Sequence, residues 1–303
     1  MSHDILIVGA TGNQGRSVIE ALVASAPSNP PHRILALTRS TTSPKAQALK
    51  SAFPSIILVR GDTQDPGPIF AAHPTISSVF LVTTPPNDEG QALPLIEAAV
   101  AADTNVDHFV FTSVDRGGDI ASWSTPTDIP HFAAKHRIEL RLREACDHAG
   151  VRWTILRPTG FMDTYNPGFF GAFMATLWRE GMPADRRMQL VSTRDIGMFA
   201  ARALMEPDAW TGKAVALAGD EISFHELQEV FRKAVGEELP LTYSVLAWPV
   251  LWWVKDAEKS FAWFRTAGYA ADLARLREQE PRLQTFKLWL RESSQWKKGI
   301  ELE

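Results

Sequence analysis

Through its first half the chain alternates short apolar runs with longer stretches in which apolar residues recur every three or four positions. Residues 5–8, 34–37, 56–59, 79–82, 109–111 and 153–156 have the length and apolar content of buried strands. Residues 14–25, 44–52, 91–102 and 131–148 carry the helical period, with a shorter helix expected near 68–72. Such alternation is the signature of βαβ units, so the fold class is α/β: a doubly wound parallel sheet of Rossmann type. Right-handed crossovers would set the carboxyl ends of the strands along one edge, where a ligand sits. After residue 156 the rhythm breaks into a stretch rich in Gly, Phe and Met, then resumes with a helix over 194–205 and a strand over 215–217. From Ser223 onward the pattern is almost wholly helical and holds Trp248, Trp252, Trp253, Trp263, Trp289 and Trp296. The expected organisation is a dinucleotide-binding domain over 1–160, to which 190–219 returns, and a smaller, mostly helical substrate lobe made of 161–189 and 220–303.

The first strand runs straight into Gly9-Ala10-Thr11-Gly12-Asn13-Gln14-Gly15 and a helix. That is the context a dinucleotide fingerprint needs. Gly9 and Gly12 permit a tight turn and close approach of backbone to a pyrophosphate, and Gly15 lets helix pack on strand. The helix start, with Thr11, Asn13 and Gln14, offers orphan N–H groups and a partial positive charge. A glycine turn that binds nothing is the alternative. The second strand ends at Arg39-Ser40, where an NAD-preferring domain usually carries a carboxylate for the ribose 2′-hydroxyl. A guanidinium fork matches a 2′-phosphate, with Ser40 a further donor, so NADP(H) is the expected cofactor; a solvated loop charge is the other reading. Asp62, after the third strand, could accept from the adenine amino group, and Thr83 and Thr84, ending the fourth, could line the nicotinamide side. Each of these is also compatible with an ordinary turn.

Composition narrows the class. The 303 residues carry a formal net charge of -4 and a pI near 6.1, which gives no electrostatic reason for direct nucleic-acid binding. Cys146 is the one cysteine, so no internal disulfide is available; it reads as a buried structural thiol in an intracellular protein. The first residues lack the basic start and apolar core of a signal peptide, and the longest apolar run, 245–254, is about half a membrane span. The expected location is the cytoplasm, with the nucleus as the alternative, and no membrane partner. The pattern requires no metal.

Gly9 to Gly15, Leu37-Thr38-Arg39-Ser40, Gly61-Asp62, Phe111-Thr112-Ser113-Val114, His131-Phe132-Ala133-Ala134-Lys135 and Leu156-Arg157-Pro158-Thr159-Gly160-Phe161-Met162 occur in this order. In this set of motifs the chain resembles the NmrA-like family, a branch of the atypical short-chain dehydrogenases/reductases, strongly over residues 4–220 and loosely beyond. The resemblance implies an extended Rossmann domain, NADP binding and a small second lobe. It does not imply one activity, since the family holds reductases of quinones, dyes and natural-product intermediates as well as redox sensors and transcriptional co-regulators.

The departure is at the catalytic motif, where short-chain dehydrogenases use Tyr-x-x-x-Lys. His131 stands in the tyrosine's place, one helical turn from Lys135. Lys135 can grip the nicotinamide ribose, and His131 can deliver a proton near neutral pH or simply open a helix. Ser113 could bond a substrate carbonyl or shape a turn, Tyr165 could replace the missing proton donor, and Pro158, Gly160 and Phe161 would cover the nicotinamide. The aromatic residues from Trp248 to Trp263 suit a flat apolar substrate, or a core or interface. The leading expectation is an NADPH-dependent reductase of a small apolar carbonyl, enone or quinone. The alternative is a non-catalytic NADP(H) sensor whose contacts with a protein partner, or with a second copy in a homodimer, follow the cofactor.

Overall fold

The computed structural model describes residues 3–25 and 32–296. Ten strands form among the described residues: His3–Ile7 (β1), His32–Thr38 (β2), Ile57–Arg60 (β3), Ile76–Val82 (β4), His108–Thr112 (β5), Arg152–Pro158 (β6), Gly160–Phe161 (β7), Arg187–Val191 (β8), Lys213–Leu217 (β9) and Asp220–Ser223 (β10). The helices are Asn13–Ser25 (α1), Pro44–Ala52 (α2), Gly67–Ala72 (α3), Asp88–Ala99 (α4), Gly118–Ser124 (α5), Pro130–Ala149 (α6), Phe169–Gly181 (α7), Thr193–Met205 (α8), Pro207–Trp210 (α9), Phe224–Val235 (α10), Ser244–Trp253 (α11), Lys255–Thr266 (α12), Leu273–Gln279 (α13) and Phe286–Glu292 (α14). Seven strands join in the order β3-β2-β1-β4-β5-β6-β9, the doubly wound arrangement whose order reverses beside β1. The remaining three form a second sheet, β10-β8-β7.

The chain divides into two compact units. The first comprises Met1–Val114, Ala133–Arg157 and Ile196–Val215, and the second Asp115–Phe132, Pro158–Asp195 and Ala216–Glu303. In the first unit β1, β2, β4 and β5 are apolar on both faces because helices cover both. Leu6, Ile7, Leu35, Val79, Phe80, Phe109 and Val110 are buried there, as are Val18, Ile19 and Leu22 of α1 and Ile138 and Leu142 of α6. α2 starts where it does because Ser43 accepts the Ala46 N–H at 3.3 Å and Pro44 fills the first helical position, where no amide is needed.

The second unit has its own core, built from Met162, Tyr165, Trp178, Leu227, Phe231, Phe286 and Trp289. α10 enters through a reciprocal cap between Ser223 and Glu226, and its buried stripe of Phe224, Leu227 and Phe231 faces this core. The aromatic tail splits in role. Trp289 stacks against Phe286 inside, whereas Trp248 of α11 is 52% exposed beside exposed Val245 and Leu246. Among the described residues no helix is long and apolar enough to cross a membrane.

Parts of the architecture differ from the sequence expectation. The stretch after residue 156 holds a second sheet, because β7, β8 and β10 are too short for their alternation to stand out. α4 begins at Asp88, three residues ahead of the expected 91, and brings a carboxylate into its first turn.

Candidate functional site

The turn after β1 explains its glycines. Gly9 sits at φ 75°, in the left-handed region that L side chains avoid, and a Cβ there would lie 2.4 Å from Val82 Cγ1. A Cβ on Gly15 would lie 2.3 Å from the Gly9 carbonyl oxygen, so α1 can approach the turn only without a side chain. Gly12 is different: it is exposed, and its Cβ would meet only the Gly9 oxygen at 3.4 Å. The protein itself does not need a glycine there, but a group approaching the backbone does. α1 starts at Asn13, so the amides of Asn13, Gln14 and Gly15 have no carbonyl one turn back to bond. Gln14 Oε1 is buried without a bonding partner, Thr11 is half-buried and Asn13 is exposed. These features fit a pyrophosphate at the helix start.

Arg39 is exposed at the end of β2 and forms no ion pair with any described residue. Beside it Ser40 Oγ lies 3.2 Å from Thr42 Oγ1, and the Ser40 N–H bonds Thr38 Oγ1 at 3.3 Å. This unpaired guanidinium suits a doubly charged 2′-phosphate. Asp62 is exposed and spends one carboxylate oxygen on the Gln64 N–H at 3.0 Å, which makes it a turn residue with one oxygen left open.

The ends of β4 and β5 meet α6 in a buried polar cluster. Thr83 Oγ1 donates to Asp88 Oδ1 at 2.5 Å. Lys135 Nζ donates to Thr83 Oγ1 at 2.7 Å and to the Thr112 carbonyl at 3.2 Å. Its third N–H is left with long contacts, 3.4 Å to the Thr83 carbonyl and 3.5 Å to Asp88 Oδ1. The Phe111 ring lies 5.1 Å from Nζ. Burial pushes the Lys135 ammonium down to about 8, against the upward pull of Asp88 and, further off, Glu139. Ser113 is buried at the end of β5, its N–H bonded to the Leu156 carbonyl at 2.7 Å. Thr84 is exposed and tied to Gln91.

Thus Gly9, Thr11, Gly12, Asn13, Gln14, Gly15, Arg39, Ser40, Asp62, Thr83, Thr84, Ser113 and Lys135 all belong to the first unit, whereas His131, Pro158, Gly160, Phe161 and Tyr165 belong to the second. His131 is half-buried in the first turn of α6, edge-on to Phe132 at 4.7 Å, and Phe132 in turn meets Trp263 at 5.3 Å. Tyr269 completes this aromatic run against Trp263 and Phe264. The Pro158 carbonyl accepts from the Asp115 N–H at 3.1 Å, and Gly160 and Phe161 pair with Leu190 and Val191.

Tyr165 does not occupy the expected place of a proton donor. It is 4% exposed in the second unit's core, packed on Trp178 and Phe286, and burial drives its phenol upward. Thr83 likewise does not present its hydroxyl outward; the hydroxyl is locked between Lys135 and Asp88. Cys146 is buried, and burial pushes its thiol up to about 12, which makes it inert as a nucleophile and fits the structural reading. Among the described residues no group of His, Cys, Asp and Glu side chains could hold a metal ion. Sequence reasoning missed Asp88. Its only signal was an acidic residue five positions after a strand-end threonine, where a helix-start charge is unremarkable.

The strand order and the glycine turn define an α/β protein of the Rossmann class. A family model described as the NmrA-like family matches residues 1–251, and the chain belongs to that family. A phenylcoumaran benzylic ether reductase of Ginkgo biloba is 26% identical over 256 residues, which cover 79% of this chain and 77% of the relative. Two solved structures share the fold. An NADPH-dependent quinone oxidoreductase of Escherichia coli, complexed with NADPH, aligns with a TM-score of 0.68 at 21% identity over 95% of this chain and 97% of its own. NmrA, a negative transcriptional regulator in complex with NADP, aligns with a TM-score of 0.66 at 16% identity over 97% and 95% of the two chains.

Proposed function

We propose that this protein is an NADPH-dependent reductase of a small apolar carbonyl, enone or quinone. The observation that carries the reading is Lys135: an ammonium buried at the strand ends of the Rossmann unit, bonded to Thr83 Oγ1 at 2.7 Å and the Thr112 carbonyl at 3.2 Å, with its third N–H in long contacts only. The similarity to the Ginkgo biloba reductase supports it. Bound NADPH would supply the hydride. Arg39 would take the 2′-phosphate, the first-turn amides of α1 the pyrophosphate, and the spare N–H of Lys135 a ribose hydroxyl. His131, one turn ahead of Lys135 on α6, would supply the proton to the reduced oxygen.

A second reading, a protein that senses NADP(H) without turning it over, draws on two observations: histidine stands in the tyrosine's place, and Tyr165 is sealed in the core. Consumption of NADPH by the pure protein, measured with quinones, enones and aromatic aldehydes, separates the two. Turnover that disappears in Lys135→Ala is expected. Tight NADPH binding with no consumption across that panel would replace the reductase by the sensor.

A further inference from the structure

Resting on that reading and deepening it, we infer that Asp88 is a positioning residue for Lys135, holding the lysine's proton and aiming its weakly held third N–H through Thr83. The direction of the cluster is fixed by a proton count. A threonine hydroxyl has one hydrogen, and Thr83 gives it to Asp88 at 2.5 Å. Toward Lys135 the same oxygen can therefore only accept, so the 2.7 Å contact requires an N–H on Nζ. The chain of bonds runs one way, from Lys135 to Thr83 to Asp88.

The opposing forces on the ammonium are all in view. Burial removes water from it and favours the neutral amine. Asp88 faces it from the start of α4 at 3.5 Å, Glu139 acts from one turn further along α6, and the Phe111 ring meets it from β5. Thr112 adds a neutral carbonyl. Asp88 is 2% exposed and engages no other cation among the described residues, so its charge is directed to this lysine. It also sits at the positive end of the α4 dipole, which suits a buried carboxylate at that position. Without Asp88 the lysine would lose the nearer of its two carboxylates and the group that orients its threonine acceptor. The amine would then discharge at lower pH, and its spare N–H would lose a fixed direction.

The test reads Lys135 itself and needs no turnover. The Cε chemical shift of isotopically labelled lysine, assigned with Lys135→Arg, is followed against pH in the wild type, Asp88→Asn and Thr83→Val. The expected result is a titration midpoint that falls by about one pH unit or more in Asp88→Asn. A smaller fall in the same direction is expected in Thr83→Val, which keeps the shape and removes the bridge. In parallel, the pH range over which NADPH binds should contract from its alkaline side. A melting-temperature loss with an unmoved midpoint would reduce Asp88 to a packing residue and overturn the inference. Should Asp88→Asn fail to fold, an unmoved midpoint in Thr83→Val overturns it equally. A shifted midpoint in a protein that reduces nothing would leave the inference standing and remove only the reductase.

Discussion

The first unit buries two cations and treats them differently. Arg157 meets Glu139 with Nη2 at 2.8 Å from Oε2 and Nε at 3.2 Å from both carboxylate oxygens, and the two side chains are 1% and 0% exposed. Lys135 meets a hydroxyl and a carbonyl, while its nearest carboxylate stands off at 3.5 Å. A planar guanidinium with a carboxylate along its fork is a saturated structural pair. An ammonium with a long third contact has a donor to offer. Both cations are buried, and the difference in completeness is what marks one as scaffold and the other as site.

The largest effect expected from this contrast is on stability. Glu139→Ala would strand Arg157 in the interior and should cost about 3–5 kcal/mol in chemical denaturation, the scale seen when one partner of a buried ion pair is removed. A loss below about 1 kcal/mol would mean that Arg157 is already compensated by its other neighbours.

Lys135 should show itself in the pH dependence of folding. Its folded value is about 8, below the ordinary 10.5, so between those limits the unfolded chain holds a proton that the folded chain has released. Folding stability contributed by this group therefore rises as pH climbs from about 8 to 10.5, by at most about 3 kcal/mol. The rise should be absent from the difference curve of Lys135→Met. An identical alkaline slope in the variant and the wild type would show that the ammonium is not strained by burial.

The smallest effect lies at the surface. Arg39→Glu should leave folding unchanged and lower NADPH affinity by about tenfold or more while moving NADH by about twofold, since only the former carries the 2′-phosphate. Equal losses for the two nucleotides would remove Arg39 from the cofactor's recognition.

The parts of this molecule legible in sequence are those governed by local rules. The strands of the large sheet announce themselves as apolar runs because both their faces are buried. Gly9 and Gly15 declare a turn and a close packing that only glycine permits, and the structure supplies the clashes, with Val82 and with the Gly9 carbonyl, that enforce them. Local rules fail where geometry is made by distant chain. Tyr165 looked suitable by its place after the sixth strand, yet Trp178, Phe286 and their neighbours enclose it. Asp88 carried no chemical signal until the ends of β4 and β5 and the flank of α6 met around it. β7 spans two residues and becomes a strand only through its pairing with β8, which no alternation within it could announce.

The most direct test of the cradle on which both the reductase and the sensor depend is a binding titration of the wild-type protein with NADPH and NADH at one salt concentration. NADPH is expected to bind tighter by about tenfold or more, the worth of a charge-assisted contact to the 2′-phosphate. Equal affinities, or no binding of either nucleotide, would contradict the assignment of Gly12, the first turn of α1 and Arg39 to NADP(H).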